Sequence, residues 1–588
     1  MKRKMISILL AVIMISTVAY GAFSETQNVP NEIDLDAEVN SFGRQEEDYG
    51  KSDTIVIDVF DEATNNQGIQ KGWFGKIVKD KFNIVLNIIN PQSLGESIFE
   101  ICSKEKRLGD IIIVDKKVFS ELLLAGFVRN LNDKLPECKN IMKFKTQIDA
   151  YNIDLTGESE LYFGIPSEMT DTAPDVLTDD VIQSYPMLRW DLYKEIGSPT
   201  LNNLDDMLDA LDKIHKIHSE NEYGESAYPL SLWSDWDGHD NMMGIANVVQ
   251  LTTWYGEKIK QSAILKPDNT FTTIYDRSCA YYKITKWLNK AYQMGLVDPE
   301  SGKQNWNHVM EKIKRGRIDL IWYSWEVGFW NSLDRLNNGT AFMFIPVKDQ
   351  YYYADADSYY GSDRMFGIGS DVTGEKYERV MDFLDWYASP EGLVFQHVGV
   401  EGLNYTVGED GKYISLNDNA LMDNLSVPDE YVGDDGVTGY NDGNNAINQW
   451  IVSSKCMNPI SGERYALKYW ESYRNSTTTE MKKEWQKVFN AKNDVEYLKM
   501  NKQLLISPNV SFTPPSDDDE ISIIRNKVST ILCEYTWKLI MTDSDESFEE
   551  IWDEMIDKMD RNGYNELYKN DCSVYMEEIN RKVAVALE

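Results

Sequence analysis

The sequence predicts an α/β protein of more than one domain, with parallel strands joined by helical crossovers. Three observations carry that expectation. The chain has 588 residues, more than one hydrophobic core usually covers. Near its start, short apolar runs alternate with longer stretches of helical spacing. The same alternation resumes after residue 200.

The first residues read as an export signal. Lys2, Arg3 and Lys4 precede an apolar run from Met5 to Ala19, and Ala19-Tyr20-Gly21 offers small residues for cleavage before Ala22. That run is short for a membrane-spanning helix, so cleavage after residue 21 and release from the cell are expected. Retention at the cell surface stays open. A lipid-anchored form needs a cysteine just after the run, and none precedes Cys102. Residues 22–52 are polar, acidic and weakly patterned, and read as a tether.

TIVIDVF (54–60) then reads as a buried strand, and residues 65–82 as a helix with Ile69, Trp73, Ile77 and Val78 on one face. IVLNII (84–89) and DIIIV (110–114) are further strands. In sheets of this type ligands bind beyond the carboxyl ends of the strands, which here carry Asp61, Glu62 and Asp115. Each of these carboxylates can instead cap the helix that follows. Leu201 to His218 reads as an amphipathic helix and AYPLSLW (227–233) as a strand. Residues 279–294 and 307–316 read as helices, 318–323 as a strand and 375–389 as a helix whose Trp386 belongs to the core. The span 405–447 is rich in Gly, Asp and Asn and reads as a loop or crossover. Ser516 and Asp519 form a capping box before a long apolar-striped helix, and Phe548, Ile551, Trp552, Met555 and Met559 mark the next one.

Composition narrows the function. A net charge of −37 disfavours nucleic acid, whose phosphates need a basic footprint. The six cysteines form no tight pair, and the five histidines lack partners at zinc spacing, so no redox motif, metal site or cofactor is expected. Nucleophile-elbow, zinc-protease and phosphate-loop motifs are absent, and no catalytic residue is singled out.

The run FLDWYASPEGLVFQHVGVEGLNYTV (383–407) resembles the "helix, S-P-E-G, then G-x-E-G-x-x-Y" segment of extracellular solute-binding proteins of carbohydrate ATP-binding-cassette importers. It is most similar to the Gram-positive oligosaccharide or aldouronate group. LYFGIP (161–166) followed by LRWDLYKEIGSPTLNNLDDMLDAL (188–211) is similar to that family's first crossover. GIQKGWFGKIVKDKFNIVLNI and the terminal DRNGYNELYKNDCSVYMEEINR fit its first helix and closing helices. The resemblance covers roughly residues 53–588. It implies a periplasmic-binding-protein-like fold of type II. Two α/β lobes, 53–165 plus 350–445 and 166–349 plus 446–588, would hold a solute in a cleft and close by hinge bending. It also implies a non-enzymatic monomer with two partners, a carbohydrate ligand and a membrane permease.

Aromatic residues make up 12% of the chain, with 16 Trp and 33 Tyr. They concentrate in IWYSWEVGFW (321–330), which the resemblance places on a strand whose end faces the cleft. Ser324 is expected to break the strand and cap a helix, so that Trp325 emerges at the sheet edge. A sugar ring offers a C–H face for an indole and a hydroxyl rim for carboxylates. Trp325 with Glu326, and Trp236 between Asp235 and Asp237, supply both kinds of group. Trp330 stands equally for cleft or core, and Trp322 for core. Glu168, at hinge level, and Tyr405, at a cleft floor, complete the expected ligand set with Asp61, Glu62 and Asp115. Two alternatives stay open. Acids and tryptophans together also suit a glycoside hydrolase. Asp355 and Asp357 in ADADSYYGSD (354–363) partly match a calcium loop, as a calcium-dependent surface protein would need.

Overall fold

A computed structural model describes residues 53–587 apart from 65, 92–100, 102, 103, 239–242, 417–423 and 477. The expected leader and tether lie outside the described residues. The chain forms two compact units. The first comprises residues up to Pro174 with Asp357–Ser476 and Asn509–Ser516; the second comprises Asp175–Ala356, Thr477–Pro508 and Asp517–Glu588.

The first unit is built on a six-stranded sheet. In spatial order its strands are Gly68–Ile69, Ile84–Ile89, Ile55–Asp61, Ile111–Asp115, Arg364–Ile368 and Gly164–Pro166. Ile55–Asp61 pairs in parallel with both neighbours, as the βα rhythm requires, while Arg364–Ile368 returns antiparallel from late in the chain. Alternation along the strands explains their continuous apolar character. Ile57, Val59, Ile111 and Ile113 bury into one layer, and Phe60, Ile112 and Val114 into the other. The first helix is Gly72–Phe82, seven residues shorter at its start than the periodicity suggests. Gly72 sets that start. Its φ is +66°, and a Cβ there would sit 2.3 Å from the Gly443 Cα.

The sequence places 446–476 in the second lobe, but the structure returns this stretch to the first unit. Trp470 is fully buried against Tyr405 and Tyr413, and its indole donates to the Arg464 carbonyl at 2.7 Å. Ile451, Val452 and Tyr465 join the same apolar layer as the central strands. Periodicity could not anticipate this, because the stretch has almost no regular structure of its own. The span 405–447 is largely loop, with one hairpin of Tyr405–Val407 and Tyr413–Ser415.

The second unit centres on a three-stranded antiparallel sheet, with Ser184–Arg189 between Leu320–Tyr323 and Phe342–Phe344. Helices Leu204–Ile217, Ala280–Gln293 and Trp306–Lys314 lie within three residues of their expected bounds. AYPLSLW is not a regular strand. It makes only single bridges, Tyr228 to Ile318 and Leu230 to Val297, because Pro229 has no N–H for a ladder. The capping box at Ser516 is also displaced. The long helix begins at Asp519, and Asp518 caps it by accepting from the Ile521 N–H at 2.9 Å. Its buried face, Val528 to Ile540, packs on helix Asp545–Arg561, whose Phe548, Trp552, Met555 and Met559 are buried as the spacing predicts. Among the described residues no helix is long and apolar enough to cross a membrane.

Candidate functional site

The second unit gathers its aromatic residues at one end of the strand Leu320–Tyr323. That strand loses register with Ser184–Arg189 between Ile321 and Tyr323, an irregularity that re-aims the side chains that follow. The chain then turns at Ser324-Trp325 into a short 3₁₀ segment, Glu326–Phe329, in place of the expected Ser-capped helix. Ser324 donates its backbone N–H to the Gln183 carbonyl at 3.0 Å, and no side chain caps the segment.

The result is a two-layer aromatic stack. Trp233 and Trp322 form the inner layer, nearly parallel (6°) with ring centres 5.2 Å apart, and both are fully buried. Trp306 and Trp236 pack on Trp233, and Tyr323, Trp325 and Phe329 extend the cluster from those two rings. Trp306 lies 4.8 Å from Trp233 and 5.0 Å from Trp325, and Trp236 5.4 Å from Trp306. Tyr323 stacks under Trp325 at 5.1 Å, and Phe329 meets the Trp325 ring edge-on at 6.2 Å. Trp325 keeps 42% of its surface open, although four rings surround it. A large indole held in place yet still exposed offers a flat apolar surface.

The acids expected beside these rings divide by orientation. Glu326 is 1% exposed, and its Oε2 accepts the backbone N–H groups of Trp322 and Tyr323 at 3.0 and 2.9 Å. Burial pushes its carboxyl up to about 8, against the pull of those two donors. Asp237 is also turned inward. It accepts from the Trp537 indole at 2.6 Å and from the Ala246 N–H at 2.9 Å. Burial pushes it up to about 7, with Asp235 adding to the rise. Asp235 is the exposed member, and its Oδ1 accepts the Trp306 backbone N–H at 2.9 Å. Trp330 sits in the core at 5% exposure. Arg189 and Arg335 lie over its ring at 4.6 and 3.2 Å, and its indole donates to the Thr340 carbonyl. Gly316 makes room for it: a Cβ there would lie 2.6 Å from the ring.

The remaining expected residues belong to the first unit, where the Asp61, Glu62 and Asp115 carboxylates accept backbone N–H groups. Asp61 is fully buried and accepts from Ala63 and Asn448 N–H groups at 3.0 and 2.8 Å. Asp115 caps helix Lys116–Ala125 through the Lys117 N–H at 2.8 Å, and Glu62 accepts from the Asp115 N–H at 2.9 Å. Glu168 adopts a left-handed φ of 55°, with its N–H donated to the Trp450 carbonyl at 2.7 Å. Tyr405 is nearly buried against Tyr413 and Trp470. In the calcium-like stretch, Asp357 is paired with Lys455 and Asp355 with Lys258 and the Tyr353 hydroxyl.

Trp306, Phe329, Tyr323 and Trp233 were not singled out by the sequence. Trp306 is the first residue of a helix some 70 positions from Trp236 in the chain, and only tertiary packing joins the two.

Among solved structures, a solute-binding protein of Bifidobacterium longum infantis, described as binding HMO and associated with an ABC transporter, superposes with a TM-score of 0.56. It is 13% identical and spans 90% of this chain and 99% of its own. A Streptococcus pneumoniae ABC-transporter substrate-binding protein, FusA, in complex with kestose gives 0.56 at 13% identity over 89% and 99%. The alginate-binding protein AlgQ2 gives 0.57 at 15% identity over 89% and 98%. The chain has the type II fold of extracellular solute-binding proteins. No protein-family model matches the sequence, and no curated protein does.

Proposed function

We propose that this protein is the extracellular solute-binding component of an ATP-binding-cassette importer, and that it captures an oligosaccharide on the aromatic platform of its second unit. The observation that carries the reading is Trp325, an open indole fixed from beneath by Tyr323 and flanked by Trp306, Trp236 and Phe329. A fixed ring costs little entropy when a sugar's C–H face settles on it. The shared fold supports the same reading, since the neighbours are described as binding proteins for HMO, kestose and alginate. Kestose is neutral and alginate is a polyuronate, so the fold leaves the charge of the ligand undecided.

The glycoside-hydrolase alternative needs two acids that reach the same bond. Beside the platform, Glu326 and Asp237 are turned inward onto backbone and indole donors. We therefore read these carboxylates as supports for the rings.

The test is a thermal-shift and calorimetric screen of residues 22–588 against neutral and acidic oligosaccharides, with and without EDTA. A ligand at ~100-fold excess over its Kd adds about 2.7 kcal/mol, a rise of a few degrees in a chain of this size. The expected result is a saccharide hit that is insensitive to EDTA and lost in Trp325→Ala. Silence across the screen would overturn the reading.

A further inference from the structure

We infer that the platform is selective for a neutral oligosaccharide over a uronate, and that Asp235 is the residue that sets this preference. The inference rests on the carbohydrate reading above and deepens it.

Of the three acids described beside the rings, Asp235, Asp237 and Glu326, Asp235 alone is exposed. It is also held in place. Its Oδ1 accepts the backbone N–H of Trp306 at 2.9 Å, and it precedes Trp236 in the chain, so it is tied to the backbone of two residues whose rings pack together. A fixed carboxylate at the rim of an indole face accepts hydrogen bonds from sugar hydroxyls, and charge strengthens such bonds. A neutral ring supplies those donors all around its edge. A uronate brings an ionised carboxylate, which has no proton to give and meets a like charge.

A uronate site would need a cation to offset this. Among the described residues, the cation found over the platform's exposed rings is Lys314, 5.8 Å from the centre of Phe329. Lys314 is already paired with Glu311 at 2.8 Å on its own helix. By contrast Arg189 and Arg335 lie over the buried Trp330, and Arg189 also pairs with Asp191. The rest of the chain adds to the bias, with a net charge of −37.

The experiment compares matched trisaccharides that differ only by oxidation at C6, drawn from β-1,4-gluco, β-1,4-manno and α-1,4-galacto series. Binding is read by calorimetry at low salt and at about 0.5 M salt, where like-charge repulsion is screened. The neutral sugar is expected to bind about tenfold tighter or more at low salt, and the gap to narrow at high salt. Asp235→Asn keeps an oxygen for the Trp306 N–H, so its thermal unfolding should match the parent while its neutral-over-uronate ratio falls. Equal or tighter binding of the uronate overturns the inference and leaves the carbohydrate reading standing. So does a gap that Asp235→Asn leaves unchanged in a normally folded variant. Should the variant fold poorly, a salt-independent gap in the parent protein overturns it too. Binding of neither member of any pair overturns the inference and the carbohydrate reading together.

Discussion

Two strand ends in this molecule began with the same promise and finished differently. In the first unit, Asp61 and Asp115 end neighbouring parallel strands; in the second, the strand Leu320–Tyr323 runs into Trp325 and Glu326. All carry acids where α/β proteins place ligand sites. In both units the acids are largely consumed by backbone. Asp61 takes two N–H groups, Asp115 caps a helix, and Glu326 takes two N–H groups from the strand it follows. What separates the two is the aromatic content. At the second site the surface left over is Trp325 and its neighbours, while among the described residues no comparable stack of rings surrounds Asp61 and Asp115. An acid at a strand end is thus weak grounds for a ligand contact, because the turn itself supplies orphan N–H groups that need an acceptor.

The sharpest way to break this comparison is to remove the exposed ring. Trp325→Ala should weaken the saccharide found in the screen by about thirty-fold, near 2 kcal/mol, with little change in unfolding temperature. A ring that is 42% open contributes modestly to the fold, so a large loss of stability with unchanged affinity would make Trp325 a core residue after all.

Next comes the carboxylate that follows it in the chain. Glu326→Ala removes the acceptor for two buried N–H groups, which costs about 1–3 kcal/mol and should lower the unfolding temperature by several degrees. Affinity should fall with it, since the turn that carries Trp325 loosens. Glu326→Gln keeps an acceptor oxygen and should recover most of both. If Glu326→Ala instead lowered affinity alone, the side chain would be a ligand contact and the contrast with Asp61 would dissolve.

The same residue gives a pH dependence of definite sign. Folded Glu326 titrates near 8 against an ordinary 4.5, and Asp237 near 7 against 3.8. Between these values the unfolded chain has released protons that the folded chain still holds. The stability these groups contribute is therefore complete below about pH 4 and is lost as the pH rises through 7 to 8. Unfolding temperature measured from pH 4.5 to 8.5 should decline more steeply in the parent than in Glu326→Gln, which cannot ionise. A parallel decline in both would mean that Glu326 is ionised throughout.

How much of this was legible in the sequence follows from the range of the forces involved. Strands such as 84–89 and helices such as Ala280–Gln293 were readable because period and burial are local. The exposed position of Trp325 was readable because a strand that ends in a turn throws the next side chain outward. The inward turn of Glu326 was not, since it depends on which N–H groups the register change leaves free. Trp306 was invisible for a related reason: its place on the platform is set by packing across some 70 residues of chain. The membership of 446–476 was hidden because Trp470 and Ile451 anchor it through burial without any repeating pattern.

The smallest effect tests the other side of the comparison. Asp115→Ala removes a helix cap, the bond from the Lys117 N–H at 2.8 Å, and should cost about 1 kcal/mol. Asp115→Asn and Asp115→Ser retain a capping oxygen and should cost a fraction of that. The ranking among the three separates the two roles an acid can hold here. A cap tolerates the loss of charge so long as an oxygen remains, whereas a carboxylate that grips a ligand loses its strongest bonds when the charge goes. If Asp115→Asn leaves stability intact but weakens saccharide binding as far as Asp115→Ala does, the carboxylate serves the ligand. If stability and capping ability fall together and binding stays level, the acid at this strand end belongs to its helix, as Glu326 belongs to its strand.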